Sequence, residues 1–391
     1  RTFFEQFLDL KRKVPRIARM VVRESLNSDY GNFLADVKNV YLSYSVVRSE
    51  DIIYSRVIDD SRDCVDCTDL QHGELAYENV QSDNVNRTRY LFSCSNCISS
   101  SFLYDCVNVQ NCFMSSNLRN KQYVFRNRQL TKEEYGAQAA KINFGSRSVI
   151  ERLYDEYLVR IKQSLHKYGD IIKSVNCTGN NIMNSKNVRH SFDIYNSEDC
   201  KYCDRLIGPK DSYDIYGGGS GDLHYEGMAV TFGGSNTKFT LISDDLRDSY
   251  YTDYCLNSSN LFGCISLRKK SYCILNKQYS EEEYNKLVPR IIEHMNTSPY
   301  TDENGRVYRY GEFFPMHQFA YNETLAQEYF PLTKEKALTL GYGWRDSDIK
   351  NYQITVEAAE LPDSILAVKV IILQDVIGCA HAARCKEQCT R

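Results

Sequence analysis

The stretch that decides the fold is residues 185–216, which reads in rows of twelve residues: SKNVRHSFDIYN, SEDCKYCDRLIG and the start of a third row, PKDSYDIY. Each row carries Asn or Asp at its third position, at Asn187, Asp199 and Asp211. A short fixed period is typical of units that bury apolar surface only by stacking on their neighbours. The same register occurs earlier in the chain, with the third position held by Asn39, Asp51 and Asp63 and later by Asn84, Asn96 and Asn108. The sequence therefore predicts a repeat protein.

The chemistry of a row predicts a thin, stacked coil. At about 3.3 Å per residue, twelve residues make two short strands and two turns, and stacked coils lie about 4.8 Å apart. The fourth position holds Val40, Ile52 and Cys64, and the seventh holds small residues such as Ser43, which suits a narrow interior. Asn and Asp at the third position favour turns, since they tolerate left-handed backbone and bond to nearby peptide groups. A coil of 12 residues and a coil of 24 residues fit this period equally well.

A longer duplication divides the chain into two homologous lobes. A shift of 148 residues aligns GELAYE at 73–78 with GDLHYE at 221–226, and a shift of 149 aligns 106–135 with 255–284. The predicted fold is mainly β: a duplicated parallel β-solenoid of about 12-residue rows, with helical caps and a C-terminal arm.

The pattern along the chain predicts seven segments. Capping boxes at Thr131 with Glu134, and at Ser280 with Glu283, start a helix after each lobe,. Helices at these places hide the terminal edge of a repeat array. The segments are an N-terminal helical cap (1–30), solenoid lobe 1 (31–130), a helical insert (131–170), solenoid lobe 2 (171–279), a capping helix (280–296), an aromatic arm (297–350), and strands followed by the start of a Cys-rich metal-binding module (351–391).

Composition narrows the class of protein. The net charge of −3 over 391 residues gives no overall attraction to nucleic acid or anionic membrane,. No apolar run reaches the roughly 18 residues that a membrane span needs, so none is predicted. The 15 cysteines are odd in number, and many recur at one row position, which favours buried thiols in a reducing cytoplasm over a disulfide framework,. The chain begins at Arg1 without Met, so we expect a fragment of a longer polypeptide.

Three stretches carry a family resemblance: LRKKSYCILNKQYSEEEY at 267–284, the arm from GEFFP to YNETLAQEYFPLTKEKAL, and the Cys-rich end. Together they resemble an uncharacterised family of Cys- and Asn-rich repeat proteins from metagenomic candidate-phyla bacteria. Family members continue past the Cys cluster into a zinc ribbon with a second Cys pair, which this chain stops short of. The resemblance implies a fold and a C-terminal zinc site, and it implies no activity.

The best candidate metal site is at the C-terminus. Zinc prefers four thiolate or imidazole ligands in a tetrahedron, and the last residues offer Cys379, His381, Cys385 and Cys389. We therefore expect Zn²⁺ as a cofactor here, with further ligands beyond Arg391 as an alternative. The CxxC units at Cys64/Cys67, Cys94/Cys97 and Cys200/Cys203 resemble zinc or redox motifs taken singly. The equivalent positions of neighbouring rows hold Ile, Val and Ser, so core packing is the better interpretation.

Two basic patches, one per lobe, are the candidate nucleic-acid contacts. Basic side chains interleaved with aromatic rings can hold phosphates and stack bases. The opposing interpretation is ordinary solvated charge at the last coil of each lobe. The patch residues are Arg119, Lys121, Arg126 and Arg128 in the first lobe, and Arg268, Lys269, Lys270 and Lys277 in the second.

The leading functional hypothesis is a non-enzymatic scaffold or structural component of a larger assembly, with protein partners. One alternative is a nucleic-acid-binding protein that uses the paired basic patches and a zinc ribbon. The other is a carbohydrate-active β-helix enzyme, for which the Asn/Asp column is the candidate, although turn chemistry explains that column better. No histidine lies in a recognisable nucleophile signature, which favours a protein without enzymatic activity.

Overall fold

Two stacked-coil lobes dominate the computed structural model, which describes residues 1–15, 19–21, 23–230, 233–303, 305–312, 314, 319–346 and 353–380. The chain forms two compact units. One contains residues 17–166 and 349–385, and the other contains 1–16, 167–348 and 386–391. Each unit holds one lobe, and the predicted mainly β, duplicated parallel solenoid is confirmed.

The coil contains 12 residues. In the first lobe Lys38 pairs with Glu50, and Val40 pairs with Ile52, all in parallel register. Ile52 pairs in turn with Cys64. The second lobe repeats this offset, with Cys200 opposite Ser212. Of the two coil lengths that the sequence left open, the shorter is therefore correct.

Within each coil the backbone repeats every three residues. From Leu34 to Ser115 every third residue is buried, and the residue before each of them has a positive φ, from Phe33 to Met114. One left-handed residue per triplet turns the chain, so four triplets close a circuit of twelve. A left-handed conformation costs an ordinary residue roughly 1–2 kcal/mol, and Asn and Asp tolerate it best. The predicted turn role of Asn39 and Asp51 is confirmed, since their φ values are 56° and 57°.

Asn and Asp side chains also bond along the column they form. The Asn39 Nδ2 donates to Asp51 Oδ1 at 2.7 Å, one coil away. The second lobe repeats the contact between Asn187 and Asp199 at 2.8 Å. Such ladders satisfy polar groups from coil to coil and fix the stacking register.

The first lobe contains sixteen strands among its described residues. The last two, Val124–Phe125 and Arg128–Gln129, form an antiparallel pair, and the earlier pairings are parallel. The strands are β1 Ser25–Leu26, β2 Asn32–Ala35, β3 Val37–Tyr41, β4 Tyr44–Val47, β5 Glu50–Ile53, β6 Arg56–Asp59, β7 Arg62–Val65, β8 Thr68–Tyr77, β9 Val80–Phe92, β10 Ser95–Ile98, β11 Ser101–Tyr104, β12 Val107–Gln110, β13 Phe113–Ser116, β14 Arg119–Gln122, β15 Val124–Phe125 and β16 Arg128–Gln129.

The second lobe has the same plan and also ends in an antiparallel pair. Its strands are β17 Ile171–Ile172, β18 Gly179–Met183, β19 Ser191–Tyr195, β20 Glu198–Lys201, β21 Asp204–Ile207, β22 Lys210–Gly218, β23 Asp222–Val230, β24 Ser235–Asp253, β25 Leu256–Phe262, β26 Ser271–Ile274 and β27 Lys277–Gln278. The core of each lobe is a narrow column of Val, Ile, Leu and Cys side chains.

The helices lie beside and after the lobes. Both capping boxes are present: Thr131 and Glu134 start the helix Lys132–Ala139, and Ser280 and Glu283 start Glu281–Thr297. The helices are α1 Phe3–Lys13, α2 Lys132–Ala139, α3 Arg147–Gln163, α4 Glu281–Thr297, α5 Leu325–Tyr329 and α6 Lys334–Thr339, and the arm adds strands β28 Tyr300–Thr301 and β29 Val307–Tyr308.

The N-terminal helix α1 packs on the second lobe. Phe4 is stacked on Phe314 of the arm with ring centroids 4.2 Å apart, and its edge meets Tyr251 at 5.3 Å. Phe3 and Phe7 complete a buried aromatic cluster in the same unit. The helical cap expected over residues 1–30 thus contains one helix, in the first half of that range. The amphipathic pattern of the sequence did not reveal which lobe the apolar face of this helix covers.

The C-terminal segment differs from expectation. Strands are expected in 351–391, but residues 353–380 contain the 3-10 helices Ala358–Glu360, Ile365–Ala367 and Val370–Gln374, with two isolated bridges, Val356 to Ile377 and Ser364 to Ser146. Apolar β-branched residues suggest a strand, yet a strand needs a paired neighbour. Here Leu366 is 93% exposed and Leu373 is 84% exposed.

Candidate functional site

An acidic-aromatic column runs along one edge of each lobe. In lobe 1 it consists of Tyr54, Asp66, Glu78 and Tyr90, each twelve residues after the last and each with a positive φ. The duplication places Tyr202, Asp214, Glu226 and Phe239 at the corresponding positions of lobe 2. The chain thus carries the same order of side chains, aromatic, acidic, acidic, aromatic, on both lobes.

In lobe 1 the two carboxylates lie on adjacent coils among tyrosines. The Tyr77 and Tyr90 rings meet edge to face at 5.5 Å. Burial raises the pKa of Glu78, and the nearby charge of Asp66 raises it further. Burial also raises the pKa of Asp66. None of the described lysines and arginines forms an ion pair with Asp66 or Glu78.

In lobe 2 the chain supplies a cation to the corresponding place. Lys201 Nζ lies 4.7 Å from the ring centroid of Tyr202 and 5.6 Å from that of Tyr213. Burial raises the pKa of Asp214, and the Lys201 charge works in the opposite direction. A hydrogen bond to Glu226 raises the pKa of Tyr225 to about 12. An ammonium group held by two ring faces beside a carboxylate is a cation–π site.

A second feature is a ladder of alternating charges on the coil face, named here the charge ladder. In lobe 1, Arg62 Nη2 bonds Glu74 Oε1 at 2.6 Å, and Lys38 pairs with Glu50. All four of these side chains line one shallow open groove. Lobe 2 repeats the alternation, since Glu198 takes Lys186 on one side at 2.8 Å and Lys210 on the other at 3.8 Å. The ladder members are Lys38, Glu50, Arg62 and Glu74 in lobe 1, and Lys186, Glu198, Lys210 and Asp222 in lobe 2.

The predicted basic patch of lobe 1 is partly neutralised. Arg119 Nη2 contacts both oxygens of Asp105, at 2.7 and 2.9 Å. Arg126 forms a two-point contact with Glu156 of α3, at 2.8 and 2.7 Å. Two arginines committed to carboxylates have less capacity for phosphate. The other patch residues are exposed as well and lie outside these contacts: Lys121 and Arg128 in lobe 1, and Arg268, Lys269, Lys270 and Lys277 in lobe 2, where Lys277 lies 4.9 Å from the Tyr279 ring centroid.

The cysteines of the rows lie in the core. Cys64, Cys67, Cys200 and Cys203 are at most 1% exposed, as free thiols. Their sulfurs contact peptide oxygens, as Cys67 Sγ does with Val65 at 3.4 Å. These contacts support packing as the role of the CxxC units.

The predicted zinc ligands fall mostly outside the described residues. Only Cys379 is described, and it is exposed; His381, Cys385 and Cys389 lie beyond residue 380. No group of three or more His, Cys, Asp or Glu side chains suited to a metal occurs in the described parts of the chain. The C-terminal zinc site stays a prediction.

Sequence reasoning missed the acidic-aromatic column. The signal was present, because GELAYE and GDLHYE align and both contain the Tyr-Glu pair. The twelve-residue rows place Asp66 and Glu78 at the same position. Showing that this position lies outside the core requires the three-residue period of buried side chains, which the rows do not reveal. Tyr54 also gives no hint of a left-handed position, since Tyr has no preference for it.

Comparisons with known proteins add little to this geometry. No protein-family model matches the chain, and no curated protein is significantly similar to it. Among solved structures, the chain is similar to a putative acetyltransferase from Desulfovibrio desulfuricans G20, with 10% sequence identity and a TM-score of 0.15 over 72% of this chain and 78% of that one. A TM-score this low carries no argument. The fold and surface define the chain as a duplicated β-solenoid repeat protein. Among the helices that are described, none has the length and apolarity needed to span a membrane.

Proposed function

We propose that this protein is a non-enzymatic scaffold, a rigid component of a larger assembly that binds protein partners through the ordered columns on its solenoid faces. The observation that carries the proposal is the charge ladder, which has the same alternation of sign in both lobes. Exposed ion pairs stabilise a fold by only about 0–1 kcal/mol each. A repeated pattern of fixed charge contributes more to the choice and orientation of a partner than to stability.

The rest of the chemistry fits this proposal. The row cysteines pack in the core, and the Asn and Asp side chains bond to one another from coil to coil, so these groups support the frame. Free thiols in the described residues suit a reducing cytoplasm, where we place the protein,. The groove beside the ladder is open and shallow, which suits a protein surface better than a small substrate,.

One observation favours a second candidate, a carbohydrate-active enzyme. Asp66 and Glu78 lie on adjacent coils, both with a raised pKa, and Asp214 and Glu226 repeat them. Paired carboxylates with unequal surroundings are the usual machinery of glycoside hydrolysis. Neither pair borders the groove, and Asp66 is exposed, so the arrangement lacks an enclosed substrate site.

A variant with an inverted charge ladder tests the scaffold proposal. Lys38→Glu, Glu50→Lys, Arg62→Glu and Glu74→Lys together keep every ion pair along the column and reverse the pattern that a partner meets. Cross-linking in the native extract should attach a protein partner to the wild-type chain at a fixed ratio, and the variant should lose this partner. The midpoint of thermal unfolding of the variant should stay within a few degrees of the wild-type value. An equal recovery with both chains would contradict the proposal. Release of reducing ends from a polysaccharide panel, abolished by Glu78→Gln with Glu226→Gln, would favour the enzyme instead.

A further inference from the structure

One coil of lobe 2, residues 218–229, has a single large side chain in its interior. The three-residue period of inward positions falls on Gly218, Gly221, His224 and Gly227 in this coil. The His224 side chain is 3% exposed, and a Cβ on Gly221 would lie 2.5 Å from its Nε2 atom. The coil therefore closes around the imidazole ring, which occupies space that the glycines leave open.

Lobe 1 fills the equivalent coil without a titratable group. The shift of 148 residues places four buried residues at the same inward positions: Leu70, Gly73, Ala76 and Asn79. Asn79 Nδ2 donates to Thr88 Oγ1 at 2.6 Å, and Asn79 Oδ1 accepts from the Leu91 N–H at 3.1 Å. Both ends of this buried amide are thus bonded, as the burial of a polar group requires.

In lobe 2 the imidazole takes the place of that amide, and only one of its nitrogens is bonded. His224 Nδ1 lies 2.8 Å from Oγ1 of Thr237, the residue equivalent to Thr88. His224 Nε2 is buried and has no hydrogen-bond partner among the described residues. Nε2 stays unbonded in either tautomer of the neutral ring, and protonation would add a full charge to a group with one neutral partner.

Neighbouring groups do little to offset this burial. The inward residues that flank the ring are uncharged, Ser212 on β22 and Thr237 on β24. Burial lowers the pKa of His224, and the charge of Asp222 raises it by a smaller amount. The charged residues of the three strands at this level fall between the inward positions: Lys210, Asp211, Asp214, Asp222, Glu226 and Lys238.

We propose that His224 is an acid-sensitive switch in lobe 2: protonation of its imidazole opens the coil 218–229, while lobe 1 stays closed. Opening lets the charged ring reach water, where the imidazolium is stable. The three inward glycines add few apolar contacts to hold the coil shut, and glycine gains more conformational freedom on opening than any other residue. Opening also displaces Asp222, the last member of the lobe 2 charge ladder, although the switch itself does not depend on the proposed scaffold function.

The direction of the pH effect follows from the linkage between protonation and opening. The pKa of His224 in the closed coil lies below the ordinary value of 6.5, so the open coil binds more protons,. The closed coil has its full stability above about pH 6.5 and loses it as the pH falls from there toward the lowered value. Across that window the equilibrium constant for opening should rise about tenfold for each pH unit.

Hydrogen exchange of the full chain, followed by mass spectrometry between about pH 5 and pH 7.5, tests the switch. Each exchange rate is divided by the intrinsic rate at the same pH, which gives the opening constant of each peptide. We expect the opening constant of peptides that cover 218–230 to rise about tenfold per unit below about pH 6.5. The equivalent peptides of lobe 1, which cover 70–82, should show no rise.

Two substitutions assign the pH dependence to the imidazole. His224→Gln and His224→Asn each supply a side-chain amide, which cannot be protonated in this range, so both should remove the acid-induced rise in lobe 2. The matched control is His190→Gln, because His190 is an exposed histidine of the same lobe, and it should keep the wild-type dependence.

The wild-type chain alone can overturn the proposal, so a variant that fails to fold does not leave it undecided. An opening constant of 218–230 that does not rise in acid would overturn it, and so would an equal rise in both lobes. An acid-induced rise that survives in His224→Gln or His224→Asn would also overturn it. These outcomes are separate from the ladder-inversion experiment, which alters different residues, so a failed switch leaves the scaffold proposal standing.

Discussion

The Ser55 peptide N–H donates a hydrogen bond to the hydroxyl oxygen of Ser43 at 2.9 Å, one coil earlier. The Ser43 hydroxyl in turn donates to the Tyr41 peptide oxygen at 2.9 Å. Ser55 repeats both contacts, with the Cys67 N–H at 3.0 Å and the Ile53 oxygen at 2.9 Å. Each of these two buried serines therefore satisfies one peptide N–H and links two coils.

Ser55→Ala should destabilise lobe 1 by about 1–3 kcal/mol, because the buried Cys67 N–H loses its acceptor. The measurement is the urea midpoint followed by circular dichroism. Ser95→Ala is the control, since Ser95 lies on β10 with a partly exposed side chain, and it should change stability by less than about 0.5 kcal/mol,. Equal effects of the two substitutions would show that the corner hydroxyl does not support the coil.

Val57→Asn should stabilise lobe 1 by about 1 kcal/mol. Val57 has a φ of 56°, which is costly for a β-branched residue and tolerable for Asn,. Val47 is the matched control because it is also a partly buried valine, on β4, but with ordinary strand backbone. Val47→Asn should lower the urea midpoint. A decrease for Val57→Asn as well would mean that its apolar contacts outweigh the backbone strain.

The sequence predicted the frame of this fold and missed its finest period. Asn39, Asp51 and Asp63 marked the row because their side chains favour left-handed turns, and Cys64 and Ile52 marked the core ladder,. Phe33, Leu42 and Val57 adopt the same left-handed backbone without any propensity for it. Stacking of neighbouring coils overrides local preference at those positions. No pattern within one coil reports such an effect, so the left-handed backbone of Glu78 was not predictable.

Phe4→Ala should release α1 from the second lobe. Phe4 is 1% exposed and packs on Phe314 and Tyr251, so its loss costs about 3–5 kcal/mol of docking free energy,. Hydrogen exchange of the amides in 3–13 measures the release and should accelerate strongly, while amides of lobe 1 keep their protection. Gln6→Ala, on the exposed side of the same helix, should leave exchange almost unchanged. Unchanged protection of α1 in Phe4→Ala would contradict this packing.

Oligonucleotide binding should be absent at about 0.15 M salt, where charges beyond roughly 8 Å are screened. Arg119 and Arg126 are held by Asp105 and Glu156, which leaves lobe 1 with few free cations for phosphate. Fluorescence anisotropy with single-stranded and duplex probes checks this. The control is the variant with Arg119, Lys121, Arg268 and Lys270 all changed to Ala. Submicromolar binding by the wild-type chain that this variant loses, with a salt slope shallower by about 0.7–0.9 per lost contact, would make the protein a nucleic-acid binder.

His72 should make lobe 1 more stable in mild acid than at alkaline pH. Its Nδ1 lies 2.8 Å from Asp83 Oδ1 and its Nε2 lies 3.8 Å from Asp60 Oδ2, and the hydrogen bond to Asp83 is the main reason why its pKa is raised. A raised folded-state pKa means that protonation favours the folded chain. The contribution is complete below the unfolded value of about 6.5 and is lost as pH rises through the folded value. The difference in urea midpoint between wild type and His72→Gln should therefore be largest near pH 5.5 and shrink toward pH 8.5. The control His294→Gln, in α4, should keep the wild-type dependence of the urea midpoint on pH. A difference between wild type and His72→Gln that grows with pH would refute the assignment.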